Sequence, residues 1–127
     1  EKHAAPWNLS TPGDHRLAIR YIGLLYDNIK GSLVANNGIY EGTDAVKMIL
    51  AGAGAVESVS TFYHNGISHT AEMLTEIEEW MDRKGYKTID EFRGTLSSKA
   101  INDPFVYKRA QYIDMILKSE DYFNPIV

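Results

Sequence analysis

The sequence predicts an α/β fold: two short parallel strands joined by a helical crossover, set inside a helix-rich chain. Three observations carry that expectation. Between Gly31 and Gly66 the pattern runs strand, glycine turn, helix, glycine turn, strand, and then a second helix start. The loops inside this stretch are short, and a strand–helix–strand order of that kind implies parallel strands with a right-handed crossover. On either side, after Asp14 and again from about Ser68 to Lys84, apolar residues recur at the spacing of helices that bury one face.

The elements follow in order. Residues 1–10 carry no regular period. Thr11-Pro12-Gly13-Asp14 has the signature of a helix start, with Thr11 as cap, Pro12 at the first helical position and Asp14 three residues on. The helix that follows places Leu17, Tyr21, Leu24 and Leu25 on one face, with Ala18, Ile22 and Ile29 beside them. Gly31 ends it, and a first strand is expected over Ser32–Asn36. Thr43-Asp44 opens the crossover helix, which carries Val46, Ile49, Leu50 and Ala53, and Gly52 and Gly54 supply its stop and a turn. The second strand is expected over Ala55–Val59, with Glu57 a polar residue inside it.

Thr61–Asn65 then forms a single helical turn before Gly66. The long helix should turn Ala71, Leu74, Ile77 and Met81 inward, with Trp80 at the edge and Gly85 as its C-terminal cap. Thr88 to Glu91 repeats the capping-box pattern ahead of a short helix through Phe92 and Arg93. Asp103-Pro104 opens a last helix with Phe105, Tyr112, Ile113, Ile116 and Leu117 inward, and Tyr122 to Val127 form an apolar tail. The expected organisation is a body over 1–85 and an appended helical extension over 86–127.

Composition narrows the function. A chain of 127 residues, 44% of them hydrophobic, can bury one core. Its formal charge of −4 argues against a nucleic-acid binder, which carries a basic patch or stripe. There is no cysteine, so disulfides, thiolate metal sites and a cysteine nucleophile are excluded. No apolar run approaches the ~20 residues that span a bilayer, and the N-terminal residues lack the apolar core of a signal peptide. A cytoplasmic setting is the expectation. The first residue is not methionine, as in a processed or partial chain.

The chemistry points to the two strand ends. The first runs into Ala35-Asn36-Asn37-Gly38 and the second into Val59-Ser60-Thr61. In a parallel sheet these ends lie side by side. Small residues let backbone N–H groups approach an anion closely, and helix N-termini favour one electrostatically. The same residues also suit a plain turn and a helix cap. His64 and His69 are five apart without a third ligand, so surface or capping roles are expected of them. Asn8-Leu9-Ser10 matches a glycosylation acceptor, a short motif that arises often by chance. Glu57 has no partner in sequence to make it a general base. The cluster Glu76 to Glu79 is expected on a solvated helix face.

A family resemblance sharpens this. Leu9-Ser10-Thr11-Pro12, the helix Arg16 to Ile22, Asn37-Gly38-Ile39 with Asp44 to Lys47 and Ala51-Gly52-Ala53, and Ser60-Thr61-Phe62 with His64-Asn65-Gly66 resemble the C-terminal part of the dihydroorotate dehydrogenase-like flavoproteins. Glu79-Trp80-Met81, Phe92-Arg93-Gly94 and Tyr107 to Tyr112 resemble the tail of the bacterial branch of that family. The resemblance implies a fragment of a TIM (β/α)8 barrel, its last two strands and their helices, with a C-terminal helical extension. It implies FMN as the cofactor of the intact enzyme and hydride transfer from dihydroorotate.

By resemblance, Asn37 and Gly38 fall on the glycine pair that binds the FMN phosphate after the seventh strand. Val59 and Ser60 fall on the pair after the eighth, and Ser10 and Thr11 on a Ser-Gly pair bordering the flavin. The chain departs from the family at three of these positions. Asn37 and Thr11 stand where the family has glycine, and Val59 is larger than the usual residue. Asn tolerates the left-handed backbone that a glycine would supply.

The family's active-site base and its orotate-binding asparagines lie on earlier strands, so no catalytic residue is expected here and the chain alone should be inactive. Two strands alone are marginal in water, so other segments or a second copy are expected to cover the open edges, making a homo-oligomer the anticipated partner state. The competing expectation is a non-catalytic helical module that self-associates through those edges.

Overall fold

The computed structural model describes residues 9–100. It is helix-rich with one small parallel sheet, in the order α1 (His15–Leu25), β1 (Val34–Ala35), α2 (Gly42–Ala51), β2 (Ala55–Val56), α3 (Ser60–Asn65), α4 (His69–Lys84) and a 3-10 turn at Ile89–Glu91. The two strands pair in parallel, Val34 with Ala55 and Ala35 with Val56. Each is shorter than its apolar run, because the paired segment gives way at once to the loops around the site. The expected last helix, the apolar tail, Asn8 and the Tyr107 to Tyr112 motif lie outside the described residues.

α2 is the centre of the molecule. Its start is a capping box in which the Glu41 side chain accepts from the third helical N–H and Asp44 accepts from the Glu41 N–H. The cap thus sits one to two residues before the Thr43-Asp44 start expected from sequence, and the same Asp44 serves it. One side of α2, through Ala45 and Met48, joins Ile22, Ala35, Ile39 and Met73 in the main core. The other side, through Val46 and Ile49, joins Phe92 and is flanked by Trp80, Met81 and Tyr86. The rings of Trp80, Tyr86 and Phe92 pack with centroids 5.0–5.7 Å apart. α4 lies tight on α2: a Cβ at Gly42 would fall 2.2 Å from the Met73 carbonyl oxygen, so only glycine permits that approach.

Two helical faces differ from expectation. On α1 the buried side is Ile22 with half-buried Ala18 and Ile19, whereas Leu17 (58% exposed), Tyr21 (54%) and Leu25 face solvent. The helix carries two apolar flanks, and only one has a partner among the described residues. On α4 the buried apolar residue is Met73, with Ile77 beside it, while Leu74 is 55% exposed. The contact follows where Gly42 lets the helices touch, one position off the expected stripe.

Residues 86–100 pack on this body. Phe92 is fully buried, and the N–H groups of Gly94, Leu96 and Ser98 donate to the carbonyls of Ile49, Leu50 and Gly23. Ser97 Oγ donates to Asp27 and Lys99 Nζ to the Asp27 carbonyl. The expected capping box at Thr88 does not form: the Thr88 side chain makes no cap bond, and the Glu91 carboxylate accepts instead from the Lys87 N–H at 2.8 Å.

Candidate functional site

A cavity of about 280 Å³ opens where both strands end, lined by residues 9–10, 36–39 and 57–60. Three loops meet there, and their hydroxyls knit them together. Ser10 Oγ and Ser60 Oγ are 2.8 Å apart across fifty positions of sequence. Tyr40 Oη donates to the Ser10 carbonyl at 2.6 Å, and Ser58 Oγ donates to the Ile39 carbonyl at 2.6 Å. Thr61 Oγ1 donates to the Tyr40 carbonyl at 3.1 Å. Each loop is therefore held by the other two.

Of the residues singled out from sequence, Ser10, Asn37, Gly38, Val59 and Ser60 line the cavity. Thr11 does not. Its N–H and hydroxyl bond the Asp14 carboxylate at 2.7 and 3.1 Å, which turns it towards the start of α1. Asn37 and Gly38 are consecutive left-handed residues, at φ 72° and 64°. Gly38 is buried, and a Cβ there would meet the backbone of Thr11, Asp14 and His15 at 2.7–2.8 Å. Its lack of a side chain therefore serves contact with the α1 entry turn, on the side away from the cavity. Val59 is 70% exposed at the rim, so its side chain leaves the cavity floor to the backbone.

Sequence reasoning named Asn36 and Ile39 without assigning them to the site, and missed Ser58, though all three line the cavity; it also missed His15 behind it. His15 Nδ1 donates to the Gly38 carbonyl at 3.0 Å, and its Nε2 lies 3.8 Å from the Asp44 carboxylate. No local pattern announces these links, which join positions far apart in the chain. The step from Asn37 to Asn36 was the one available in sequence.

The donors at the site are neutral. Among the described residues, no hydrogen bond is donated by the N–H groups of Asn37, Gly38, Ile39, Val59 or Ser60. Ser60 opens α3 at the rim. By contrast, the N-terminus of α2 is already satisfied, because Glu76 accepts from the Gly42 and Thr43 N–H groups at 2.7 and 3.4 Å. Of the two helix starts beside the strand ends, only the α3 start has free donors. Glu57 is the one charged side chain lining the cavity, and its negative charge opposes a bound anion.

Behind the site lies a tightly coupled polar cluster. Burial alone would raise the Asp44 carboxyl, but hydrogen bonds from Lys47 and from the Tyr40 and Glu41 N–H groups outweigh it and hold it below its usual value. His69 donates to the Tyr40 carbonyl at 3.0 Å and to Glu72 at 2.7 Å. The carbonyl and then the Glu72 carboxylate raise its pKa. Burial, followed by the neighbouring Glu76, raises Glu41. His69 is thus a buried link rather than a surface residue, and the described residues hold no cluster fit for a metal ion. No helix among them is long and apolar enough to cross a membrane.

No protein-family model matches the chain. Individual proteins do. A dihydroorotate dehydrogenase (fumarate) of Lachancea kluyveri is 36% identical over 66 residues, 52% of this chain and 21% of that protein. One of Trypanosoma brucei brucei is 41% identical over 61 residues, 48% of the chain and 20% of the protein. A putative dihydroorotate dehydrogenase A (fumarate) of Streptococcus equi is 30% identical over 84 residues, 65% of the chain and 27% of the protein. The matched stretch spans a fifth to a quarter of these curated relatives. Over half to two thirds of its length, this chain is dihydroorotate dehydrogenase-like.

Proposed function

We propose that the chain supplies the closing part of an FMN-dependent oxidoreductase resembling dihydroorotate dehydrogenase, and that its cavity takes the FMN phosphate. In this reading residues 1–85 are the last two strands of a (β/α)8 barrel with their helices, and 86–127 are a helical extension. Phosphates commonly sit at this place in such barrels, between the loops after the last two strands.

One observation carries the reading. The loops after both strands converge on one small cavity with unused backbone N–H groups. The donor set fits a phosphate ester. Asn37, Gly38 and Ser60 would hold it through their N–H groups, with the Ser10 and Ser60 hydroxyls beside it, and Val59 would contribute backbone alone. About 280 Å³ lies just below the ~300 Å³ floor of ordinary ligand pockets, so the cavity suits one end of a cofactor rather than the whole flavin. Bound flavin would supply the hydride acceptor for dihydroorotate; this chain's residues would anchor and orient it. Thr11, turned onto Asp14, stays outside that contact.

The bare side of α1 supports the larger assembly. Leu17, Tyr21 and Leu25 are exposed next to a sheet that has two strands among the described residues, as expected where further barrel segments or a second copy of the protein pack. The relatives' names support the substrate class, and a cytoplasmic setting is part of the same proposal.

The test is flavin binding by the full-length protein. Purified protein should show a flavin absorption band, and added FMN should raise its melting temperature. Gly38→Val should abolish that rise, since a side chain there collides with three backbone atoms of the α1 entry turn. Full-length protein without any FMN effect, and with a solution mass showing self-association, would favour the helical module instead.

A further inference from the structure

We propose that His15 is a positioning residue for the anion site, holding the Gly38–Ile39 peptide so that the Ile39 N–H faces the cavity and donates to the ligand phosphate. This rests on the phosphate reading above and extends it to a residue that does not itself line the cavity.

The geometry starts at the Gly38 carbonyl. A carbonyl oxygen only accepts, so His15 Nδ1, 3.0 Å away, carries the proton and donates. No peptide bond among the described residues is cis, and in a planar trans peptide the following N–H points opposite to the C=O. Drawing the Gly38 oxygen back onto His15 therefore turns the Ile39 N–H the other way, and Ile39 lines the cavity. That N–H has no acceptor among the described residues. A bond accepted by the carbonyl also polarises the peptide and strengthens its N–H as a donor, by ~10–30%.

The ring is well placed to hold this peptide. It is 88% enclosed, its side chain being 12% exposed, and Nε2 faces the Asp44 carboxylate at 3.8 Å. Asp44 is itself fixed by the α2 capping box. His15 thus ties the first residue of α1 to the loop after β1 and to the start of α2. The loop needs such a tie. Asn37 is the one non-glycine residue at positive φ among those described, a conformation that persists where its surroundings over-determine it.

A structural link and a phosphate-positioning link make different predictions for two ligands that differ only in the phosphate. Affinities for FMN and for riboflavin should be measured on the full-length protein. Wild type should prefer FMN. His15→Ala should lose about tenfold in FMN affinity, the effect of one donor misdirected, with riboflavin affinity unchanged. His15→Asn, whose amide can still donate to the Gly38 carbonyl, should recover most of the loss. His15→Phe keeps the ring volume without the donor and should match His15→Ala, and it serves if the alanine variant fails to fold. Equal losses for both ligands, or no loss, would overturn the role of His15 while leaving the flavin reading intact. Wild type that binds FMN no better than riboflavin would overturn the phosphate reading, and this inference with it.

Discussion

The helices α1 and α2 are of similar length and both amphipathic, yet they live in different surroundings. α2 buries seven of its ten residues, whereas α1 buries two of eleven, Ile22 and Gly23. The difference is not in their apolar content. α2 has a partner on each flank, the α1–β1–Met73 core on one side and Phe92 with its aromatic neighbours on the other. α1 has a partner on one flank only among the described residues. An amphipathic stripe states that a face is to be covered, and says nothing of which chain segment covers it.

Substitutions can break or sharpen that contrast. The largest effect is expected on the covered side of α2. Phe92→Ala removes a fully buried ring and should cost about 3–5 kcal/mol, read from denaturant unfolding of the full-length protein. Next comes the cap. Asp44→Ala loses the bonds to Tyr40, Glu41 and Lys47 and should cost roughly 1–2 kcal/mol at neutral pH. Its folded pKa is lowered, so the stabilisation is present above the ordinary carboxylate value and is lost as pH falls through the lower folded one. The variant should accordingly show a shallower decline in stability towards acid than wild type.

His69 carries the opposite sign. Its pKa is raised from the usual 6.5, so its contribution is complete below that value and is lost as pH rises through the higher folded one. His69→Gln should flatten the alkaline decline in melting temperature. Least in the isolated chain, and most telling, is α1. Tyr21→Ser should change the stability of the 127-residue chain by less than about 0.5 kcal/mol. In a longer protein carrying the proposed remaining barrel segments it should cost about 2 kcal/mol or more if they cover the face. Equal, small effects in both would mean that α1 is bare by design.

The sequence was most legible where causes are local. The crossover order, the capping carboxylate Asp44, the stop at Gly85 and the small residues at the strand ends all follow from neighbours within a few positions. So does the gathering of Asn37, Gly38, Val59 and Ser60, because parallel strand ends lie together whatever follows; Ser10, fifty positions from Ser60, was reached only through the family resemblance. It was least legible where a distant partner decides. Met73 rather than Leu74 faces α2 because Gly42, thirty-one positions earlier, lets the helices touch there. Gly38 spends its missing side chain on the α1 entry turn, far back in the chain. His15 and Glu76 act across twenty-three and thirty-four positions, and no spacing rule connects them to the loops they serve.

The hydrogen bond between Ser10 and Ser60 has a consequence in time. It joins chain segments fifty residues apart, and such contacts are made only after the intervening entropy of closure has been met. By this separation the Ser10–Ser60 contact is expected among the late contacts of folding, an order that φ-values at Ser10 and Ser60 would read. A ligand held there would bind the folded arrangement in preference to the unfolded chain and so stabilise it.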